Sequence, residues 1–335
     1  MMVGHAAQAE ERLLETGSTL LYPLFNLWVP AYSKTHPGVQ ITTEATGSGT
    51  GISEAASGIA QIGASDAYMS SFMVRAHPGI LNIPVSISSQ MVNYNLPGLN
   101  GVHLHLSGPV LAAIYTGKIR YWNAAAIARL NPDVRLPHQP IVPIHRTDGS
   151  GDTFIFSQYL SFTSPAWNNA VGYGTTISWP PVESGVGAEG NPGMVDACKG
   201  TPYSIAYIGI SYRKYTAAAG LGEAELQNRA GRFLLPTPRT IQAAVNALAP
   251  HTPANERTSL ILAPGADSYP IINYEYAIVN AHQPDQATAQ ALRQFLTWVL
   301  SPRGGNSLRF TRQVGFVPLP PAIVRLSEAQ LAKIH

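Results

Sequence analysis

Cysteine and charge are both scarce in this sequence. Cys198 is the only cysteine among 335 residues, so no internal disulfide can form. That scarcity fits either a reducing compartment or an exported protein that does without bridges. Charged side chains make up 12 % of the chain, about half the usual share of roughly 25 %, which excludes a charge-rich disordered chain. The net charge is only +2 and no block of Lys or Arg occurs, so the electrostatic footprint of a nucleic-acid binder is missing. No run approaches the roughly 20 apolar residues of a membrane span. The opening segment Met1–Glu10 lacks the apolar centre of a leader peptide.

What is present is enough apolar material for sizeable cores, 45 % of the residues, and a length that suits two domains of roughly 100–200 residues each. Thirty glycines and 27 prolines are spread throughout and punctuate short elements. Helical spacing covers Thr19–Tyr32, Ile52–Ala60, Val110–Tyr115, Ala124–Leu130, Phe154–Phe162, Gln286–Leu300 and Ser327–Ile334. Extended patterns cover Val39–Glu44, Asn82–Tyr94, Ile141–His145 and Tyr269–Asn280. The alternation predicts an α/β fold with mainly parallel sheets and helices on both faces. The β-rich runs around Val92–Leu96 and Ile271–Ala277 bracket a segment of domain length. A chain that leaves one lobe and returns to it would cross at such connectors, and two sequential domains fit the pattern equally well.

Three turns rich in Gly, Ser and Thr each run into a helix: Gly17-Ser18-Thr19, Gly47-Ser48-Gly49-Thr50-Gly51 and Asp148-Gly149-Ser150-Gly151-Asp152. Each offers free backbone N–H groups, a hydroxyl and the positive end of a helix dipole, which together suit an anion. A plain N-cap is the better explanation of any one of them taken alone, and three in one chain shift that balance without settling it. Arg146 stands at the mouth of the third turn, where its planar fork can grip an oxyanion, and Asp148 is spaced to hold the guanidinium. Asp66, at a strand end after the second turn, adds a discriminating element. A carboxylate beside an anion is repulsive unless the anion has a proton to donate, as phosphate does near neutral pH and sulfate does not.

The segments ETGSTLLYPLFNLW (15–28), GSGTGIS (47–53), IGASDAY (62–68), YTGKIRYWN (115–123), HRTDGSGDTF (145–154), AYIGIS (206–211), YPIINYEYAIVN (269–280) and FVPLPP (316–321) resemble, in order, a known family. It is the periplasmic phosphate-binding protein family of the bacterial high-affinity phosphate ABC transporter, especially its actinobacterial lipoprotein members. The resemblance implies a two-lobed periplasmic-binding-protein fold (type II), with lobe I formed by residues 10–93 plus 268–335, lobe II by residues 94–267 and phosphate in the cleft. It implies phosphate ligation by Thr19, Leu20, Ser48, Asp66, Arg146, Ser150, Gly151 and Asp152, with Asp148 supporting Arg146. It calls for no cofactor and no metal. The implied partners are inorganic phosphate and a membrane permease, at an extracytoplasmic location with a lipid anchor in the native full-length protein. Two departures stand out. Asp152 occupies a place where many members have Thr, and would either accept a second phosphate proton or turn away to cap its helix. Ser204 falls where some actinobacterial relatives pair a second cysteine with the one at Cys198.

Rival functions find little support. A serine hydrolase or phosphatase needs a nucleophile and a base, but no G-x-S-x-G occurs and strand alternation sends His145 away from Arg146. Gly185, Gly187 and Gly190 spell G-x-G-x-x-G after Trp179-Pro180-Pro181, a context that predicts a loop rather than a dinucleotide fingerprint. His103 and His105 lack a third metal ligand and are expected to be solvated. Sulfate and molybdate are disfavoured by Asp66, whereas arsenate is protonated as phosphate is. Phe154, Phe156, Tyr159 and Phe162 are expected to pack their helix, Tyr22, Phe25 and Trp28 to lie in the core, and Pro318, Pro320 and Pro321 to form a terminal loop.

Overall fold

A computed structural model describes residues 11–335. Met1–Glu10, and with them the residue at which the first lobe is expected to begin, lie outside the described residues. The chain starts with β1 (Glu11–Gly17), α1 (Tyr22–Ser33), β2 (Val39–Glu44), α2 (Ser48–Ser57), β3 (Ile62–Ser65) and the long β4 (Ile80–Asn95). Next come β5 (Val142–Arg146), α3 (Gly151–Thr163), β6 (Val186–Ala188), α4 (Gly190–Gly200), β7 (Ser204–Gly209) and the short β8 (Gly222–Glu223). Strand β9 (Ile272–Asn280), α5 (Gln286–Leu300) and α6 (Pro321–Leu331) finish the chain.

These strands form a sheet in the order β2-β1-β3-β9-β4-β7-β5-β6, with β8 alongside β4, and a separate three-stranded sheet joins His105–Leu106, Glu225–Gln227 and Phe233–Leu234. Parallel pairing holds among β1, β2 and β3 and among β5, β6 and β7. The central strands β4 and β9 run antiparallel to their neighbours. Strand β4 pairs with β9 as far as Ser89 and with β7 from Gln90 onward, so a single strand runs through both halves of the sheet. All but the last of its residues are buried. A strand covered on both faces shows a continuous apolar and small-residue run rather than alternation. Pro84 cannot donate to the ladder, and the register shifts opposite it, between Glu275 and Tyr276, as expected for proline at a bulge.

Helices cover both halves. Phe25 and Tyr32 of α1 are buried against Phe295 of α5, and Tyr32 also against Trp298, with Tyr32 and Phe295 edge to face at 5.0 Å. Buried Trp28 packs on Phe25 and donates its indole N–H to the Gly305 carbonyl at 3.1 Å. Tyr22, at the first turn, is only half-buried. In the other half Phe156 stacks on Tyr207 at 4.5 Å. Three local expectations need correction. Phe162 is 49 % exposed, because it lies at the end of α3 after the buried turn Phe156–Leu160. Pro321 opens α6 instead of ending a loop, since its fixed φ suits the first helical position. The helix expected at Ser327–Ile334 therefore starts and ends earlier. Ser204 lies beside Cys198, its hydroxyl 3.4 Å from the thiol sulfur. No helix among the described residues is long and apolar enough to cross a membrane.

Candidate functional site

Parallel strands deliver the first two turns to one place. At the end of β1, Gly17 has φ +136° and lies so close to Ala64 that a Cβ would overlap the Ala64 carbonyl. Only glycine fits there. The Ser18 hydroxyl accepts from the Leu20 and Leu21 N–H groups at 3.1 and 2.9 Å and donates to Asp66 Oδ1. Thr19 Oγ1 accepts from the backbone and side-chain N–H groups of Asn191 at 3.2 and 2.9 Å. The Leu20 carbonyl accepts from the Ser211 hydroxyl at 2.8 Å. At the start of α2, Ser48 Oγ accepts from Asp66 N–H at 3.2 Å and donates to Asp66 Oδ2 at 3.4 Å. Asp66 is thus buried at the end of β3 with a serine hydroxyl on each carboxylate oxygen.

The third turn comes from the other half of the sheet and meets the second. Gly49 N–H donates to the Gly149 carbonyl at 2.8 Å. A Cβ on Gly151 would overlap Asp66 Oδ2 and sit 2.5 Å from Ser48 Oγ. Ser150 caps α3, accepting from Thr153 N–H at 3.2 Å. Arg146 is 3 % exposed at the end of β5. Its Nε and Nη2 both donate to Asp148, the former at 2.6 Å, and its Nη1 donates to Asp152 Oδ2 at 2.9 Å. The Tyr207 hydroxyl accepts from Arg146 N–H at 2.9 Å and fixes the backbone beneath the guanidinium.

Asp152 faces the site and does not cap its helix, because Ser150 already occupies that role. Its Oδ2 also accepts from Asn191 Nδ2 at 2.6 Å, and its Oδ1 from Gln90 Nε2 at 3.1 Å. Its carboxyl is pushed up to about 7, first by burial and then by the charge of Asp66, against the pull of Arg146, Asn191 and Gln90. Burial likewise raises Asp66, opposed by hydrogen bonds from Glu275, Ser18 and Ser48 and by Arg146. Asp148 goes the other way: burial would raise its carboxyl, but the hydrogen bonds and charge of Arg146 bring it below the ordinary value. With Asp148 ionised against Arg146, no net positive charge is left over to offset Asp66 and Asp152. An anion entering here must carry protons or find them on these two carboxyls.

All nine residues singled out from the sequence (Thr19, Leu20, Ser48, Asp66, Arg146, Asp148, Ser150, Gly151 and Asp152) gather in this one region. Gln90, Asn191, Asn273 and Glu275, which the sequence did not single out, also converge on it, as does Ser18 of the first turn, for which the resemblance implies no ligand role. Asn191 carries a correction. The segment expected to be a loop around Gly185–Gly190 is strand β6 leading into α4, and Gly190, at φ +64°, turns the chain so that Asn191 enters the site. Gly190 N–H also donates to Asp148 Oδ1 at 3.1 Å, so this is a fourth strand-to-helix turn. His145 stacks on Trp179 at 4.9 Å. His103 is exposed, as expected, and the His105 side chain is 40 % exposed while lying 2.9 Å from Glu225 and stacking on Phe233. No group of three metal-ligating side chains occurs among the described residues.

Comparison with known proteins gives this geometry a context. A family model described as the PBP superfamily domain matches residues 4–303. The chain is 37 % identical to the phosphate-binding protein PstS of Methanocaldococcus jannaschii over 85 % of its own length and 77 % of the relative's. It is 32 % identical to the PstS of Haemophilus influenzae over 94 % of its own length and 90 % of that protein's. Among solved structures, its fold is similar to that of PfluDING, a high-affinity periplasmic phosphate-binding protein determined with bound phosphate. The TM-score is 0.76 at 18 % identity, covering 95 % of this chain and 93 % of that one.

Proposed function

Because the chain belongs to the PBP superfamily and, within it, to the PstS phosphate-binding protein family, we propose that it captures inorganic phosphate for an ABC transporter. It is a substrate-binding protein and not an enzyme: it holds its ligand without transforming it. In this role it works outside the cytoplasm and hands phosphate to a membrane permease.

The observation that carries the proposal is the opposition of Arg146 to buried Asp66 and Asp152 across converging helix N-termini. Phosphate oxygens take N–H and O–H donors from the turns of Thr19, Leu20, Ser48, Ser150 and Gly151, and Arg146 supplies the fork of the guanidinium. Asp66 and Asp152 accept the protons that phosphate retains near neutral pH. Sulfate, without a proton, would face two unpaired like charges in a dry site. The lobes proposed for closure are residues 10–93 with 268–335 and residues 94–267. Passage of β4 from one half of the sheet to the other at Ser89–Gln90 supports a hinge close to the first boundary. Contacts from both lobes favour the closed form by differential affinity.

The test is calorimetric titration of ligand-stripped protein with phosphate, arsenate and sulfate. Heat with phosphate and none with sulfate is expected, and Asp66→Asn should weaken phosphate about 10–100-fold while admitting sulfate. Absence of phosphate heat from folded, stripped protein would sink the reading.

A further inference from the structure

Proton reading by Asp66 demands that this carboxyl stay an acceptor, although it is buried among groups that favour its neutral form. The residue that bears on this lies behind the site, on β9. Glu275 is fully buried. Its Oε1 accepts from the Ser88 hydroxyl and from Asn273 Nδ2, the latter at 3.0 Å. Its Oε2 meets no N–H or O–H donor, and the pairing of Tyr276 with Ser65, together with the 3.4 Å hydrogen bond from Asn273 Nδ2 to the Asp66 carbonyl, sets the Glu275 carboxyl beside that of Asp66. The β4 bulge at Pro84 lies opposite this point and turns the strand locally.

Two facing carboxyls in a dry site share a proton, because both cannot be ionised together. Their partners decide where it sits. Asp66 receives hydroxyl donors on both oxygens and feels the guanidinium of Arg146. Glu275 receives only the neutral Ser88 and Asn273, both on Oε1, and no cation faces it. We propose that Glu275 is a protonated positioning residue whose Oε2–H donates to Asp66, keeping Asp66 an acceptor and so setting the preference of the site for a protonated anion.

The charged and titratable groups near this pair fit the assignment. Asp66 comes from the end of β3, Arg146 and Asp152 lie beyond it on the other half of the sheet, and Ser88 and Asn273 are neutral. Burial, and after it the charge of Asp66, hold the Glu275 carboxyl well above the usual carboxylate range. This inference rests on the phosphate reading of the same site. Without the Glu275 donor, Asp66 would itself take up the proton, turn into a donor, and lose its reason to refuse sulfate.

The experiment compares Glu275→Gln with Glu275→Leu. Glutamine keeps an acceptor for Ser88 and Asn273 and offers a permanent N–H to Asp66, whereas leucine offers none. E275Q should bind phosphate within about threefold of the parent and keep refusing sulfate, with less loss of affinity at alkaline pH. E275L should lose about 10–100-fold in phosphate affinity and gain measurable sulfate binding. A second readout needs no ligand and no E275L variant. In infrared spectra, the protonated-carboxyl carbonyl absorption of the stripped parent at neutral pH, to which Glu256 also contributes, should lose a band in E275Q that persists in Asp152→Asn. Failure of that band to change in E275Q, or an E275Q protein as impaired and as permissive to sulfate as E275L, would overturn the proposal. Failure of the parent to bind phosphate would overturn the reading of the site instead, and the infrared comparison would still decide where the proton lies.

Discussion

Arg146 gives Asp148 two of its donors and Asp152 a third, so its charge is spoken for before any ligand arrives. Truncating one partner of a buried pair costs about 3–5 kcal/mol, mainly through the charge left behind. Asp148 and Asp152 nevertheless do different work. Asp148, held below its usual value, is a fixed counter-charge. Asp152, near 7, changes protonation where phosphate itself does. A complex that holds one proton more than its separated partners must weaken as pH rises, by at most about tenfold per pH unit. Phosphate affinity should therefore fall above about pH 7 in the parent protein. Asp152→Asn, whose amide can donate to the less protonated anion, should show a shallower fall. Titrations at pH 6, 7 and 8 check this, and parallel profiles for the two proteins would remove Asp152 from proton reading.

Elements enter through the third turn, where the requirements of helix and site diverge. Gly151 sits in the first turn of α3 with ordinary negative φ, so alanine there would suit the helix and add about 0.5–1 kcal/mol to it. The same Cβ would overlap Asp66 Oδ2, which reaches it from the other half of the sheet. Gly151→Ala should thus melt no lower than the parent without phosphate, yet lose about tenfold or more in affinity, since closure would need a shift of the turn. Melting and titration of the same sample separate the two effects, and unchanged affinity would mean the turns do not meet in the loaded form. The strand-to-helix turns were readable in the sequence because Gly, Ser and an N-cap are local signals, as was α5, which starts at the Asp285 cap and follows one periodic stripe. Gln90 and Glu275 were not readable. They lie on β4 and β9, whose residues are buried on both faces, so no alternation marks a polar side chain turned to the site. Asn191 was hidden by the short β6 and by the prolines before it. Its role depends on a long-range meeting with Thr19 that spacing cannot show.

At the scale of the whole molecule, the chain carries an unusual load of buried carboxyls, on the sheet strands and on the segments around them. Glu15, Asp66, Asp152, Glu256 and Glu275 are all shielded from solvent, and burial is the largest cause raising each of them. Glu256, beside Ser327 of α6, is raised from an ordinary 4.5 to about 8, with one oxygen accepting from Ser327 at 2.9 Å and the other without a partner. An acid whose folded value lies above its unfolded one binds more protons when folded. Its contribution to stability is complete below the unfolded value and disappears as pH rises through the folded value. For Glu256 that window runs from about 4.5 to about 8, and Asp152 and Glu275 act in the same direction. Phosphate-stripped protein should therefore melt highest near pH 5 and progressively lower toward pH 8, contrary to the rise expected where carboxylates are paired with cations. Glu256→Gln keeps an acceptor for Ser327 and removes one titrating group, so its melting temperature should fall less over the same range. Phosphate at 100 times its dissociation constant should restore about 2.7 kcal/mol. Scanning calorimetry of both proteins from pH 5 to pH 8 decides the matter: a flat or rising melting temperature in the parent would mean that these carboxyls are ionised in the folded state.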